Sequence, residues 1–288
     1  MNGSAEPGAR FEAIERLLAF DPGDRKIAAL QAPGDLERCC RSLATARRAT
    51  ILTGFYITAA GSAETDGPPG AGDLAAALAA MGIPTTLLTD FNCARVVGAA
   101  WDDCLTWDGA GAAPAKAAGA SHLIAIERPG RTATGKYYTM RGLDISAQVA
   151  PIDRLLLERP AGTTTIGVGD GGNEAGMGKA MDAVKAHVPN GALIASVVPA
   201  DFLVAAGTSN WGAWGIAAGL SLLAGRDLLP TAAAARERIE RTVAAGAVDG
   251  VTRETAATVD GLAWAESEAL LARLRGALVA AGIAGEGT

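Results

Sequence analysis

The chain has 288 residues, 49% of them hydrophobic and 19% charged, which is enough apolar content for a large α/β core and unlike a disordered chain. Its formal charge of −6, with no basic run beyond Arg47-Arg48, argues against nucleic acid and anionic membranes and leaves small molecules or other protein chains as partners, with a homo-oligomer allowed. The four cysteines make no CxxC spacing, and neither a signal peptide nor a transmembrane span is expected, so they read as reduced thiols of a cytoplasmic protein.

In chain order, residues 1–10 read as a tail. Phe11 to Phe20 puts Ile14, Leu17 and Leu18 on one helical stripe, and a second helix is expected from Leu36 to Arg47. Ala49 to Tyr56 is a β-branched and aromatic strand. An irregular segment, a helix from Gly72 to Met81 and a strand from Pro84 to Thr89 ending in Asp90 then complete a βαβ unit. Strands follow at His122 to Ile126, closed by Glu127, and at Thr163 to Val168, closed by Asp170. A softer strand is expected at Ala192 to Val198 and a short one at Leu203 to Ala206. Glu174 to Val188, Trp214 to Leu223, Thr231 to Ala244 and Val259 to Ala280 have helical composition. Successive βαβ units predict one domain over residues 11–288, of three-layer α/β/α type with a mostly parallel, Rossmann-like sheet.

The densest chemical signal is Gly167-Val168-Gly169-Asp170-Gly171-Gly172-Asn173-Glu174-Ala175-Gly176-Met177-Gly178-Lys179, a glycine-rich loop carrying acids at the end of a strand. It lacks the GxGxxG order with an acidic residue about 20 positions on, and the GxxxxGK[ST] order, and Asp170 and Glu174 repel a bare phosphate, so a hard cation or an amine-bearing substrate is the better inference. The plainer alternative is a tight turn in which Asp170 or Asn173 caps the next helix.

A second acidic loop, Glu64-Thr65-Asp66-Gly67-Pro68-Pro69-Gly70, follows the first strand. Both loops are expected to meet at one sheet edge, although a solvated surface loop is the bland reading of this one alone. Glu127-Arg128-Pro129-Gly130-Arg131 brings guanidinium groups to that edge, to clamp an anion or to pair with Glu127. Lys136, Tyr137 and Tyr138 lie in a loop near it, and Thr208-Ser209-Asn210-Trp211 suits a helix N-cap, a ligand contact or both. His122, inside a strand, and His187, near a helix end, read as structural. No Gly-x-Ser-x-Gly elbow and no Cys/His pair points to covalent catalysis.

With Thr53-Gly54-Phe55, Glu64 to Gly70, Glu127 to Gly130, Gly169 to Gly178, Asn210-Trp211-Gly212, Asp249 to Thr252 and Thr258 to Gly261, the chain resembles the D-glutamate cyclase C-terminal-like family from about residue 11 to residue 282. The resemblance implies a carbon–oxygen lyase that forms 5-oxo-D-proline from D-glutamate or a related amino acid with loss of water. On that reading Glu64, Asp170 and Glu174 are catalytic and Thr65, Arg128, Asn173 and Asn210 bind substrate. Asp66, Asp170 and Glu174 then hold a divalent metal, Mg²⁺ or Mn²⁺. The rival expectations are a metal-dependent hydrolase of a small phosphate ester and a ligand-binding module without catalysis.

Overall fold

The computed structural model describes residues 7–107, 117 and 119–283. Strands β1 (Ala49–Thr53), β4 (Thr85–Asp90), β5 (Cys104–Trp107), β6 (His122–Ile126), β7 (Thr164–Gly169) and β8 (Phe202–Ala205) form one sheet in the order β5-β4-β1-β6-β7-β8. Every pairing in it is parallel, with Ile51 opposite Leu87 on one side and Ile124 on the other. Counting only these six strands, the order is 3-2-1-4-5-6, the Rossmann arrangement. The short β2 (Tyr56–Ile57) and β3 (Ser62–Ala63) make a separate antiparallel hairpin within the loop after β1.

Alternation along the strands shows why three layers form. Ile51, Leu87, Ile124, Ile166 and Val204 point into the main core, while their neighbours Leu52, Leu88, Ala125 and Leu203 point into two smaller cores on the other face. Helices α1 (Pro7–Leu18), α3 (Asp35–Leu43), α4 (Pro68–Ala80), α5 (Ala94–Ala100), α9 (Ser209–Ala224), α10 (Ala232–Ala244) and α11 (Trp264–Ala280) supply the main core. The second face is covered by short elements: α2 (Ile27–Leu30), α6 (Arg154–Leu157), α7 (Met181–His187) and α8 (Gly191–Ile194). No helix among the described residues is long and apolar enough to cross a membrane.

Several boundaries differ from the sequence reading, each for a local reason. The expected strand at Ala192 to Val198 is instead α8 followed by extended chain. The place beside β7 belongs to β8, and the backbone of this segment pairs with loops: Ser196 N to Gly172 O, Val197 N to Arg131 O, and Gly176 N to Val198 O. The expected helix from Glu174 forms only at Met181, after a 3₁₀ turn at Gly178–Ala180, because the backbone of residues 174–177 pairs instead with Arg128 and Pro129 and with Val198 and Pro199. Helix α5 and strand β5 are further elements, and α11 begins at Trp264 because Val259 and Leu262 close a turn ahead of it. Helix α1 starts at Pro7, inside the expected tail, whose residues 1–6 lie outside the described ones.

The chain runs outward from β1 to β4 and β5, then returns to the other side of β1 as β6 and runs outward again to β7 and β8. That reversal opens a crevice at the carboxyl ends of β1 and β6, the position where sheets of this type bind ligands.

Candidate functional site

Three loops leave that crevice. The loop after β1 carries Glu64 and Asp66, the turn after β6 carries Glu127, and the loop after β7 carries Asp170 and Glu174. Backbone bonds weld the last two together, Ala175 N to Arg128 O at 2.7 Å and Gly130 N to Asn173 O at 2.9 Å. The β1 loop is joined by the segment between α10 and α11 through Thr65 N to Val248 O at 2.9 Å, which delivers Asp260 to the same place. The result is one cluster of carboxyls. Asp66, Asp170 and Asp260 each place an oxygen within 4.8 Å of the others, and so do Glu127, Asp170 and Glu174.

These acids are held differently. Glu174 is fully buried, and its Oε1 accepts the N–H groups of Asp170 (3.2 Å) and Gly171 (2.7 Å) while Oε2 accepts that of Gly172 (2.6 Å). It is the acceptor around which the glycine loop folds. Asp66 accepts the Ser209 and Asn210 amides at 2.7 and 2.9 Å, capping α9 from another loop. Thr208 caps the same helix through its own hydroxyl, accepting from Trp211 N. Glu127 accepts the Ser209 hydroxyl at 2.6 Å, and both Glu127 (φ 45°) and Asp260 (φ 55°) occupy the left-handed region, which costs a non-glycine residue about 1–3 kcal/mol. Gly67, at φ 94°, lies so close that a Cβ there would overlap the Cβ of Glu127.

Crowding so many acids away from water shifts their protonation. Burial, then the charges of Asp260 and Asp66, pushes Glu64 well above the carboxylate range. Burial, then Glu174, Asp66 and Glu64, does the same to Glu127, against the Ser209 hydrogen bond. Asp66 is pushed up to about 7 by burial and Asp260, although the two amides of α9 pull the other way. Burial raises Asp170 well above its ordinary value despite a bond of 2.6 Å from Arg25 Nη1. Arg25 also reaches Asp260 Oδ1 at 3.0 Å, and the attraction of these acids outweighs the effect of its burial and holds it firmly charged.

A cavity of about 160 Å³ opens beside the cluster, with Arg25, Glu64, Glu127, Asn173 and Asp260 in its floor and wall and Met140, Arg141, Leu143, Val251 and Arg253 at its mouth. That size suits a small polar molecule. The donor set also fits a hard, oxygen-ligated divalent ion: Oδ2 of Asp170 and Oδ2 of Asp260 are buried without a hydrogen-bond partner.

Three of the residues singled out from sequence make other contacts. Arg128 is fully buried and donates to Asp90 Oδ2 (2.7 Å), Gly54 O (3.1 Å) and Ala150 O (2.7 Å), so its cation is taken up by Asp90. Thr65 gives its hydroxyl to Thr258 O at 2.7 Å. Asn210 spends its amide on Thr65 O, Gly67 N and Gly70 N, joining α9 to the β1 loop. Asn173 lines the cavity with its Nδ2 on Tyr138 O at 2.8 Å.

A family profile described as D-glutamate cyclase-like, C-terminal, matches residues 14–275. The chain belongs to that family. Human mitochondrial D-glutamate cyclase is 36% identical over 246 residues, a match covering 76% of this chain and 40% of the human protein. The chain thus spans about two fifths of the length of that relative.

In this member of the D-glutamate cyclase-like family, the sequence assigned no catalytic, substrate-binding or metal-binding role to Arg25, Glu127 or Asp260. Glu127 carried a signal, since it closes β6 as Asp170 follows β7. Asp260 stood in the Thr258 to Gly261 motif without a function. Arg25, between two N-terminal helices, had no marker in the sequence pattern.

Proposed function

We propose that this chain cyclises D-glutamate, or a closely related amino acid, to 5-oxo-D-proline with loss of water, aided by one divalent ion such as Mg²⁺ or Mn²⁺. The observation that carries the reading is the pair Glu64 and Glu127, two carboxyls of raised proton affinity on the wall of one small cavity. Cyclisation requires the substrate ammonium to lose two protons and the departing side-chain oxygen to gain two. Ionised Glu127 takes a proton from the ammonium, and the freed amine attacks the side-chain carboxyl carbon, forming the new C–N bond. Protonated Glu64 gives a proton to the oxygen whose bond to that carbon breaks. Glu127 then passes its proton to the same oxygen and Glu64 recovers one from the ring nitrogen, so both return to their starting states as water departs. Asp66, Asp170 and Asp260 would hold the ion, which when bound offsets negative charge on the reacting carboxylate. Arg141 and Arg253 at the mouth supply positive charge for the other carboxylate.

Proton NMR of the purified protein with D- or L-glutamate, each with Mn²⁺, Mg²⁺ or EDTA, tests the reaction. Signals of 5-oxoproline are expected from the D-isomer with the ion, and silence under every condition sinks the proposal. Glu64→Gln is expected to lower turnover by about 10²–10⁴-fold while leaving the fold intact, because the amide keeps the shape and loses the exchangeable proton. Gly250 makes room for this group, since a Cβ there would overlap Glu64 Oε2. Gly250→Ala should therefore also depress turnover with little change in melting temperature, and full activity in that variant would remove Glu64 from the proposed mechanism.

A further inference from the structure

Arg25 stands on a short connection held at both ends. On one side Phe20 stacks on Trp211 of α9, with ring centroids 5.7 Å apart, and on the other Ile27 and Leu30 of α2 pack against α7 through Val184. Between them the Asp21 carboxylate accepts the backbone N–H groups of Arg25 (2.8 Å), Lys26 (2.7 Å) and Ile27 (3.2 Å). The guanidinium then divides between two acids from distant loops, meeting Oδ1 of Asp170 and Oδ1 of Asp260. In each aspartate the oxygen that does not meet Arg25 is buried and unpartnered. One cation therefore fixes the rotation of two carboxylates and leaves one free oxygen on each, in a group where Asp66, Asp170 and Asp260 each place an oxygen within 4.8 Å of the others.

We infer that Arg25 is a positioning residue for a divalent-cation site formed by Asp66, Asp170 and Asp260, an inference that rests on the ion in the proposed function. Groups that orient metal ligands from outside the coordination sphere typically govern affinity by about 10–100-fold. A positive charge beside the ligands also repels the incoming ion, so the two effects of removing Arg25 have opposite signs. If positioning dominates, Arg25→Met binds the ion more weakly; if Arg25 is a rival cation in the ion's place, the same variant binds it more tightly.

The experiment is a calorimetric titration of Mn²⁺ into the EDTA-stripped full chain at mildly alkaline pH, for wild type, Arg25→Met, Arg25→Lys and Asp21→Ala. Loss of affinity by about 10–100-fold is expected in Arg25→Met. Arg25→Lys should also lose affinity, because an ammonium keeps the charge yet lacks the fork that spans two carboxylates. Asp21→Ala, which touches neither acid, is expected to lose a smaller part through the loosened connection. Arg25→Lys decides the matter if Arg25→Met does not fold. Affinity at or above the wild-type level in Arg25→Met, or in Arg25→Lys in its stead, overturns the inference alone. Wild-type protein that binds no divalent ion overturns it together with the ion in the proposed function, and the NMR assay with EDTA tells whether turnover survives without one.

Discussion

Glu174→Ala is expected to cost about 3 kcal/mol or more of folding stability, since each buried amide left without an acceptor costs about 1–3 kcal/mol and this change strands three. The amides of Asp170, Gly171 and Gly172 converge on its two oxygens in a glycine-rich loop. Glu174 is fully buried, so its removal leaves these amides without their carboxylate and away from bulk water. Glu174→Gln should fall between wild type and alanine: its amide oxygen can serve the two amides now on Oε1, while its NH₂ faces the Gly172 N–H. Urea unfolding of the three proteins, with the slope checked for constancy, measures this. A Glu174→Ala protein as stable as wild type would mean that the loop is held by its bonds to residues 128–130 and 196–198, and Glu174 would become available for chemistry.

This division between an acid that builds the loop and acids that face the cavity was not legible in the sequence. The fold largely was. Buried parallel strands are continuous apolar runs, so Ala49 to Thr53, His122 to Ile126 and Thr164 to Gly169 announced themselves, and their carboxyl ends had to share an edge. The convergence of Asp66, Asp170 and Glu174 follows from that edge. Ala192 to Val198 misled because a short apolar run reads alike as strand, helix or loop, and here it is a helical turn to Ile194 followed by backbone that pairs with loops.

What stayed hidden was set by tertiary contacts. Arg25 is 145 residues from Asp170, on a connection with no periodic pattern. Arg128 stood next to Glu127 and so looked like the cation of the site. Neighbouring residues leaving a strand face different ways, and while Glu127 turns to Ser209 and the acids, Arg128 turns to Asp90. The sequence put the guanidinium groups of Arg128 and Arg131 at this edge, but these pair with Asp90 and Asp153, and Arg25 from another part of the chain meets the acid cluster.

The same crowding predicts an inverted acid response. Without a divalent ion the protein is expected to lose stability as pH rises from about 4 toward 7, the interval between the ordinary and the folded value of Asp66. The sign follows from proton counting. Glu64, Asp66, Glu127 and Asp170 all bind protons more tightly folded than unfolded, so in this interval the folded state carries more protons, and each step up in pH favours the unfolded chain. For Asp66 alone the shift to about 7 corresponds to about 4 kcal/mol, fully lost once the pH passes the folded value. A divalent ion bound only by the folded state should oppose this. It displaces those protons, so its grip strengthens as pH rises, and at a hundredfold excess over its dissociation constant it adds about 2.7 kcal/mol. Thermal melting across this range should therefore fall with EDTA and fall less with Mn²⁺, and Asp66→Asn should make the EDTA curve shallower. A wild-type EDTA curve that is already flat would show that the carboxyls keep ordinary values. A fall that no ion corrects would leave the ammonium group of the substrate as the counter-charge, binding more tightly as the acids around it ionise.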